Sequence, residues 1–258
     1  MKKMVNQTKI SEICGEVQSK AKKFHDIISL GNISNNYNPE VWPEEWKKIN
    51  FKTYPRSKNI PLGSSKNMNI NFKKTVLDRK SERDFNDYKI TKNELSTILS
   101  LSSGIINKEN INWDQTKRTY PSAGARYPIE LYIVVLNSKD LKAGLYHYNV
   151  KQHSLELLMD GLLKEELVKM TGQEWVGNTS IVLILTSVLG RSQVKYGDRA
   201  YRYCLFEAGH IAQNAYLLTT VLNLKCCAIG GFIDKDVNSL LDLDDENEFA
   251  VYLLGVGR

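Results

Sequence analysis

Tyr120-Pro-Ser-Ala-Gly-Ala-Arg-Tyr-Pro128 leads, through Ile129 and Glu130, into Leu131-Tyr-Ile-Val-Val-Leu136, and the reading of this stretch decides the fold. The second part is a continuous apolar run bounded by polar residues, which predicts a buried strand. The first part sets small residues between two prolines. Side chains then stay out of the way, and backbone N–H groups can approach a flat ligand. Pro-Ser-Ala-Gly also suits a plain surface turn. Its position at a strand entrance places the turn over the core.

Outward from that strand, Ile181-Val-Leu-Ile-Leu-Thr186 and Phe249-Ala-Val-Tyr-Leu-Leu254 predict two more buried strands. Gly144–Tyr148 and Ser154–Leu158 read as the two arms of a hairpin. Thr91 with Glu94 forms a capping box that opens a helix through Leu95, Ile98, Leu99 and Leu101. Residues 202–222 read as a long helix with Leu205, Ala208, Ile211, Ala212, Ala215 and Leu218 along one broad stripe. Long helices over a sheet with some antiparallel pairing make the chain α+β.

The main domain is expected at residues 75–258, preceded over residues 1–74 by a basic helical segment and an extended arm. Ile10, Cys14, Val17, Ala21, Phe24 and Ile28 recur at helical spacing. Residues 31–72 are rich in Asn and Ser and carry four scattered prolines, which opposes regular structure. Residues 1–75 hold 14 Lys/Arg against 6 Asp/Glu, so the net charge of +6 is concentrated there. That excess is either a solvated face or a surface for an acidic partner or peptide.

Composition excludes several classes. No apolar run approaches the ~20 residues that span a bilayer, and the N-terminus lacks an apolar signal stretch. No membrane association and a cytoplasmic location are expected. Four cysteines without framework spacing read as reduced and packed. The four histidines make no metal-ligating pattern, so no metal is expected. No helix-turn-helix, RNP or zinc-finger pattern accompanies the basic charge, so nucleic acid is not expected either. GxGxxG, GxxxxGK[ST] and GxSxG are all missing from the sequence.

The remaining candidates are basic, aromatic or glycine-rich. Arg79-Lys-Ser-Glu-Arg83 offers two guanidinium forks and a hydroxyl suited to phosphate oxygens, or else a solvated turn. Lys195-Tyr196 opens a run of lysine, tyrosines and arginines to Tyr203, and a lysine beside a tyrosine can make the phenol a usable base. Gly230-Gly231, read as following a helix, permits positive φ and an unobstructed N–H.

In this order the segments resemble the nitroreductase superfamily, and within it the SagB-type or McbC-like azoline dehydrogenases of thiazole/oxazole-modified peptide biosynthesis. The resemblance spans residues 75–258, and the arm fits through Trp42-Pro43 and Lys52-Thr-Tyr54. It implies a mixed sheet flanked by long helices, in an obligate homodimer that binds FMN at its interface. Arg79, Ser81 and Arg83 match the family's phosphate and ribityl motif. Pro121, Ser122, Ala123, Gly124 and Arg126 lie in the loop that follows the isoalloxazine edge. Gly230 and Gly231 fall on the segment facing flavin N5, and Arg258 on a C-terminal basic position of the phosphate site. Lys195-Tyr196 matches the azoline-oxidising acid/base pair. Ala125 and Tyr127 replace the Asn and Gln of general nitroreductases, which speaks against a general quinone or nitro reductase. His210, on the long helix, is read as a packing residue.

The implied activity is FMN-dependent oxidation of azoline rings, with a cyclodehydratase complex and a precursor peptide as partners. An NAD(P)H-dependent flavin reductase and a catalytically silent scaffold subunit stand as alternatives.

Overall fold

Unbroken apolar strands require cover on both faces, and the structure supplies it. The computed structural model describes residues 20–29, 43–44, 48–65, 68–106 and 116–258. The strands are β1 (Lys58–Pro61), β2 (Ile105–Ile106), β3 (Lys117–Arg118), β4 (Ile129–Val135), β5 (Gly144–Asn149), β6 (Ser154–Asp160), β7 (Ile181–Val188), β8 (Lys225–Ile229) and β9 (Glu248–Gly257). The helices are α1 (Lys20–Ile27), α2 (Phe72–Asp78), α3 (Lys92–Ser103), α4 (Lys164–Thr171), α5 (Gly190–Tyr196), α6 (Ala200–Val221) and α7 (Asp234–Leu240).

One seven-stranded sheet has the order β1-β6-β5-β4-β7-β9-β8, and its described pairings are antiparallel. Odd-numbered residues of β4 (Ile129, Leu131, Ile133, Val135) enter one core with Leu95, Ile98 and Leu99 of α3 and Ala208, Ile211 and Ala215 of α6. Tyr132 and Val134 enter a second core with Leu167 and Met170 of α4 and Val237 of α7. β7 divides the same way, with Ile181, Leu183 and Leu185 on the first side and Val182 and Ile184 on the second. Residues of alternating parity point to opposite faces of a strand, so a sheet covered twice needs apolar side chains throughout. Each fully buried Leu or Ile contributes about 1.5–3 kcal/mol.

The capping box is present: Thr91 Oγ1 accepts from Glu94 N at 3.2 Å, and Glu94 Oε2 accepts from Thr91 N at 2.9 Å. The expected hairpin is β5–β6, and the long helix is α6. β8 was not expected. The chain leaves α6, turns through Asn223 at φ 55 and enters a strand, so Gly230-Gly231 follow a strand rather than a helix. Neither glycine has positive φ.

Residues 1–39 and 40–258 are separate compact units. Within the second, β1 of the expected arm pairs antiparallel with β6, from Lys58↔Leu157 to Pro61↔Ser154. Of the expected N-terminal helix, residues 1–19, with Cys14, lie outside the described residues. Cys204, Cys226 and Cys227 are free and buried. No described helix is long and apolar enough to cross a membrane.

Candidate active site

The loop between Ser122 and Tyr127 makes a tight turn through left-handed backbone, with Gly124 at φ 59, Ala125 at φ 53 and Tyr127 at φ 48. The turn brings Gly124 against α5. A Cβ on Gly124 would lie 2.5 Å from Tyr196 Oη and 2.9 Å from Lys195 Nζ. Two candidates some seventy residues apart in sequence therefore meet where only glycine fits. Lys195 and Tyr196 are half-buried, with the ammonium 5.5 Å from the phenol ring centre. Tyr203 meets Tyr196 edge-on at 5.0 Å between ring centres.

Electrostatics set the character of this pair. Burial, and next the positive charge of Arg126, depress the Lys195 ammonium below its ordinary value. Arg126 is itself buried and interacts electrostatically with Tyr196. Its Nε donates to the Arg191 carbonyl at 2.8 Å, which ties the loop to the first turn of α5. The arrangement can hold or move a proton beside a reacting atom.

Both ends of the loop are anchored. Ser122 Oγ and the Ala123 N–H donate to Glu207 Oε1 at 2.9 and 3.1 Å, and the Tyr127 N–H donates to Ser122 Oγ at 2.9 Å. Arg191 Nη1 donates to the Tyr127 carbonyl at 3.1 Å. The Tyr127 ring turns inward, edge-on to Tyr120 at 5.6 Å and below the Arg118 guanidinium at 4.8 Å. Tyr127 is thus a buried anchor rather than a surface group. Glu207, Arg118 and Arg191 were not among the residues expected to form the site. Charged residues 5% exposed or less (Glu207, Arg118) reveal their role only once their neighbours are placed.

Behind Arg191 lies a buried charge network. Arg191 Nη1 is 2.5 Å from Glu130 Oε1, and Glu130 Oε2 is 3.3 Å from His147 Nε2. His147 Nδ1 is 2.8 Å from Glu156 Oε2. Burial works against ionisation of Glu130, yet Arg191, His147 and Arg118 outweigh it and hold the carboxyl at about 2. Burial alone would depress His147, but its bonds to Glu130 and Glu156 leave it raised.

The second cluster forms around Tyr216 of α6. Ser81 Oγ lies 2.9 Å from Tyr216 Oη, and the Ala228 N–H donates to that oxygen at 2.7 Å. The Arg79 guanidinium sits over the Tyr216 ring at 5.5 Å. Burial pushes the Cys227 thiol up while the Arg83 charge pulls it down, which puts Arg83 on the same side. Residues 79, 81 and 83 of an extended segment thus share one edge. Gly230 and Gly231 follow directly after β8, and a Cβ on either would meet nothing within 4 Å. This leaves their backbone open to approach.

Arg258 is placed differently. Its guanidinium lies 4.1 Å from the Tyr88 ring centre, and its Nε donates to the Asn223 carbonyl at 3.2 Å. It lines a cleft with Lys80 and Glu82, the opposite edge from Arg79 and Ser81. Pro121 is exposed at the loop's start, and His210 is exposed on α6.

The family model described as "Nitroreductase family" matches residues 76–258. The nitroreductase-type protein MJ1384 of Methanocaldococcus jannaschii is 33% identical over 190 residues, covering 73% of this chain and 91% of that protein. The microcin B17-processing protein McbC of Escherichia coli is 31% identical over 134 residues, half of this chain and 49% of McbC. The trifolitoxin-processing protein TfxB of Rhizobium leguminosarum bv. trifolii is 30% identical over 151 residues, 56% of this chain and 40% of TfxB. The aligned regions thus span half or less of these two peptide-processing relatives. Among solved structures, a nitroreductase-type protein of Anabaena variabilis superposes with a TM-score of 0.74 at 28% identity, covering 92% of this chain and 46% of the other.

Proposed function

Because the chain belongs to the nitroreductase family, we propose that it is an FMN-dependent dehydrogenase that oxidises thiazoline or oxazoline rings of a modified peptide. The observation that carries this reading is the contact of Gly124 with both Lys195 and Tyr196. It joins the loop expected along the flavin edge to the pair expected to move the proton. Kinship with proteins that process microcin B17 and trifolitoxin supports a peptide substrate.

The residues present fit FMN. Arg79, Ser81 and Arg83 on one edge, with Tyr216 behind them, would hold the phosphate and ribityl chain. The open backbone at Gly230-Gly231 and the Pro121–Ala123 turn would border the ring system, with Gly124 and Arg126 behind. Arg258 is the weakest member of this set, because its side chain is engaged on the far edge. When bound, FMN supplies the two-electron acceptor that receives hydride from the ring carbon.

The chain's own residues do the rest. Tyr196 takes the acidic Cα proton of the azoline ring. Lys195, whose ammonium releases its proton more readily than usual, acts as the neutral amine that accepts the phenol's own proton, so that the phenolate can take the Cα proton. Arg126, held by Arg191, keeps a positive charge beside the pair.

Leu205 and Phe206 of α6 and Phe72 and Val76 of α2 expose apolar side chains, with Phe206 55% and Phe72 69% accessible. This supports a homodimer built on these helices. A cyclodehydratase complex that delivers the precursor peptide fits the same reading.

Similarity to MJ1384 over most of that protein favours a second reading, a reductase of small molecules driven by NAD(P)H. Purified protein loaded with FMN and mixed anaerobically with NADPH separates the two. A flavin spectrum that stays oxidised with NADPH and bleaches with an azoline peptide supports the dehydrogenase. Rapid bleaching by NADPH, with none by the peptide, supports the reductase.

A further inference from the structure

The Ser122–Tyr127 loop stores strain. Left-handed backbone costs a residue with a side chain about 1–2 kcal/mol, and both Ala125 and Tyr127 adopt it. Such a loop persists only where its surroundings hold it. Arg191 and Arg118 hold the Tyr127 end. At the Ser122 end the holder is Glu207, 2% exposed and reaching from α6. Its Oε1 accepts from Ser122 Oγ and the Ala123 N–H, and Ser122 Oγ in turn accepts from the Tyr127 N–H, so the carboxylate reaches both ends of the turn. Glu207 Oε2 is buried with no hydrogen-bond partner among the described residues.

We propose that Glu207 is a positioning residue: while ionised, it holds the strained loop in the conformation that sets Gly124 against Lys195 and Tyr196. The loop-holding role follows from the geometry, and its consequence for turnover rests on the acid/base reading of that pair. Hydrogen bonds to an ionised acceptor are roughly twice as strong as neutral ones. Protonating Glu207 therefore weakens both bonds to the turn.

The groups facing Glu207 are Arg118 of β3, Tyr120, Ser122 with Ala123 in the loop, and Cys204 on α6. Burial pushes Tyr120 and Cys204 well above neutrality, so both stay uncharged and Arg118 is the charge in this group. Burial also pushes Glu207 up to about 7, against the Ser122 and Ala123 bonds and the Arg118 charge. The clamp accordingly tightens as pH rises through neutrality.

Hydrogen exchange of the Ala123 and Tyr127 amides, read as protection factors in cofactor-free protein, tests this directly. In the wild type, protection should rise about 5- to 10-fold between acid and alkaline sides of neutrality, the difference between neutral and charge-assisted bonds. Glu207→Gln, the same shape without the charge, should stay at the acid level throughout. In the loaded enzyme it should lower kcat while KM for the peptide and FMN affinity hold. Glu207→Asp, shorter but ionisable, should restore part of the rise. Protection that ignores pH in the wild type, or that rises equally in Glu207→Gln, would overturn the proposal. Because the exchange experiment needs no turnover, its failure is distinct from failure of the acid/base reading, which a fully active Tyr196→Phe would signal.

Discussion

Gly124 and Tyr196 touch where glycine's missing Cβ would be: that atom would stand 2.5 Å from the tyrosine hydroxyl. The loop and the helix that carry them come from distant parts of the chain, and their approach fixes the position of the phenol. Gly124→Ala should therefore do two things. The residue's φ of 59 makes the substitution cost about 1–2 kcal/mol of stability, and the new methyl should push Tyr196 and Lys195 aside. We expect a folded protein that binds FMN and turns over at least ~10-fold more slowly, since small misplacement of a reacting group is costly. Steady-state kinetics beside a denaturation curve checks this, and unchanged turnover would contradict it.

Tyr196→Phe and Lys195→Ala should keep the cofactor and lose most turnover, by about 10²–10⁴-fold. The flavin spectrum of each variant gives the first half of that statement and product formation the second. A variant that loses its flavin would assign the residue to cofactor binding instead.

Tyr216→Phe removes the hydroxyl that meets Ser81 and receives the Ala228 N–H. Each lost bond is worth about 1 kcal/mol, so FMN affinity should fall roughly 5- to 30-fold without a change in kcat at saturating FMN. Arg79→Ala should weaken FMN similarly or more, while Arg258→Ala should weaken it less, given its position at the far edge. Isothermal titration with FMN ranks the three.

Stability should peak at acidic pH, near the ordinary carboxylate value of 4.5. Glu130, held at about 2, contributes stability that is present above its ordinary 4.5 and lost as pH falls toward 2. His147 is raised, so its contribution is full below 6.5 and lost as pH climbs through its folded value. Glu207, raised to about 7, binds a proton more tightly folded than unfolded, so stability falls as pH rises from 4.5 to 7. The three together place the highest Tm near pH 4.5, where the Glu130 contribution is nearly complete and the Glu207 decline is only beginning. Glu207→Gln should flatten the decline between pH 4.5 and 7. Glu130→Ala, which strands Arg191 in the interior, should cost about 3–5 kcal/mol. A Tm that rises steadily to pH 8 would refute this balance.

The sequence carried the fold well because its signals were local. Apolar runs at β4, β7 and β9 and the capping box at Thr91 depend on neighbours in sequence. β8 went unread because Lys225-Cys-Cys-Ala-Ile is short and follows a strong helix, and only pairing with β9 makes it a strand. In the candidate site, the Gly124 turn and Lys195-Tyr196 stand out in the sequence by residue type and by the family resemblance. Their contact was not, and neither were Glu207, Arg191 and Glu130. An isolated glutamate on a helix looks solvated until the loop packed against it is known. Tyr127 was read as a replaced polar position, whereas its inward ring and its bonds to Ser122, Arg118 and Arg191 make it part of the scaffold.

The most direct measurement is the mass of an azoline-containing peptide incubated with the purified protein, FMN and oxygen. Loss of two hydrogens per ring, dependent on FMN and abolished in Tyr196→Phe, is the predicted result. A peptide of unchanged mass, beside a protein that carries FMN and consumes NADPH with a nitroaromatic or quinone acceptor, would contradict azoline oxidation and make the chain a small-molecule reductase.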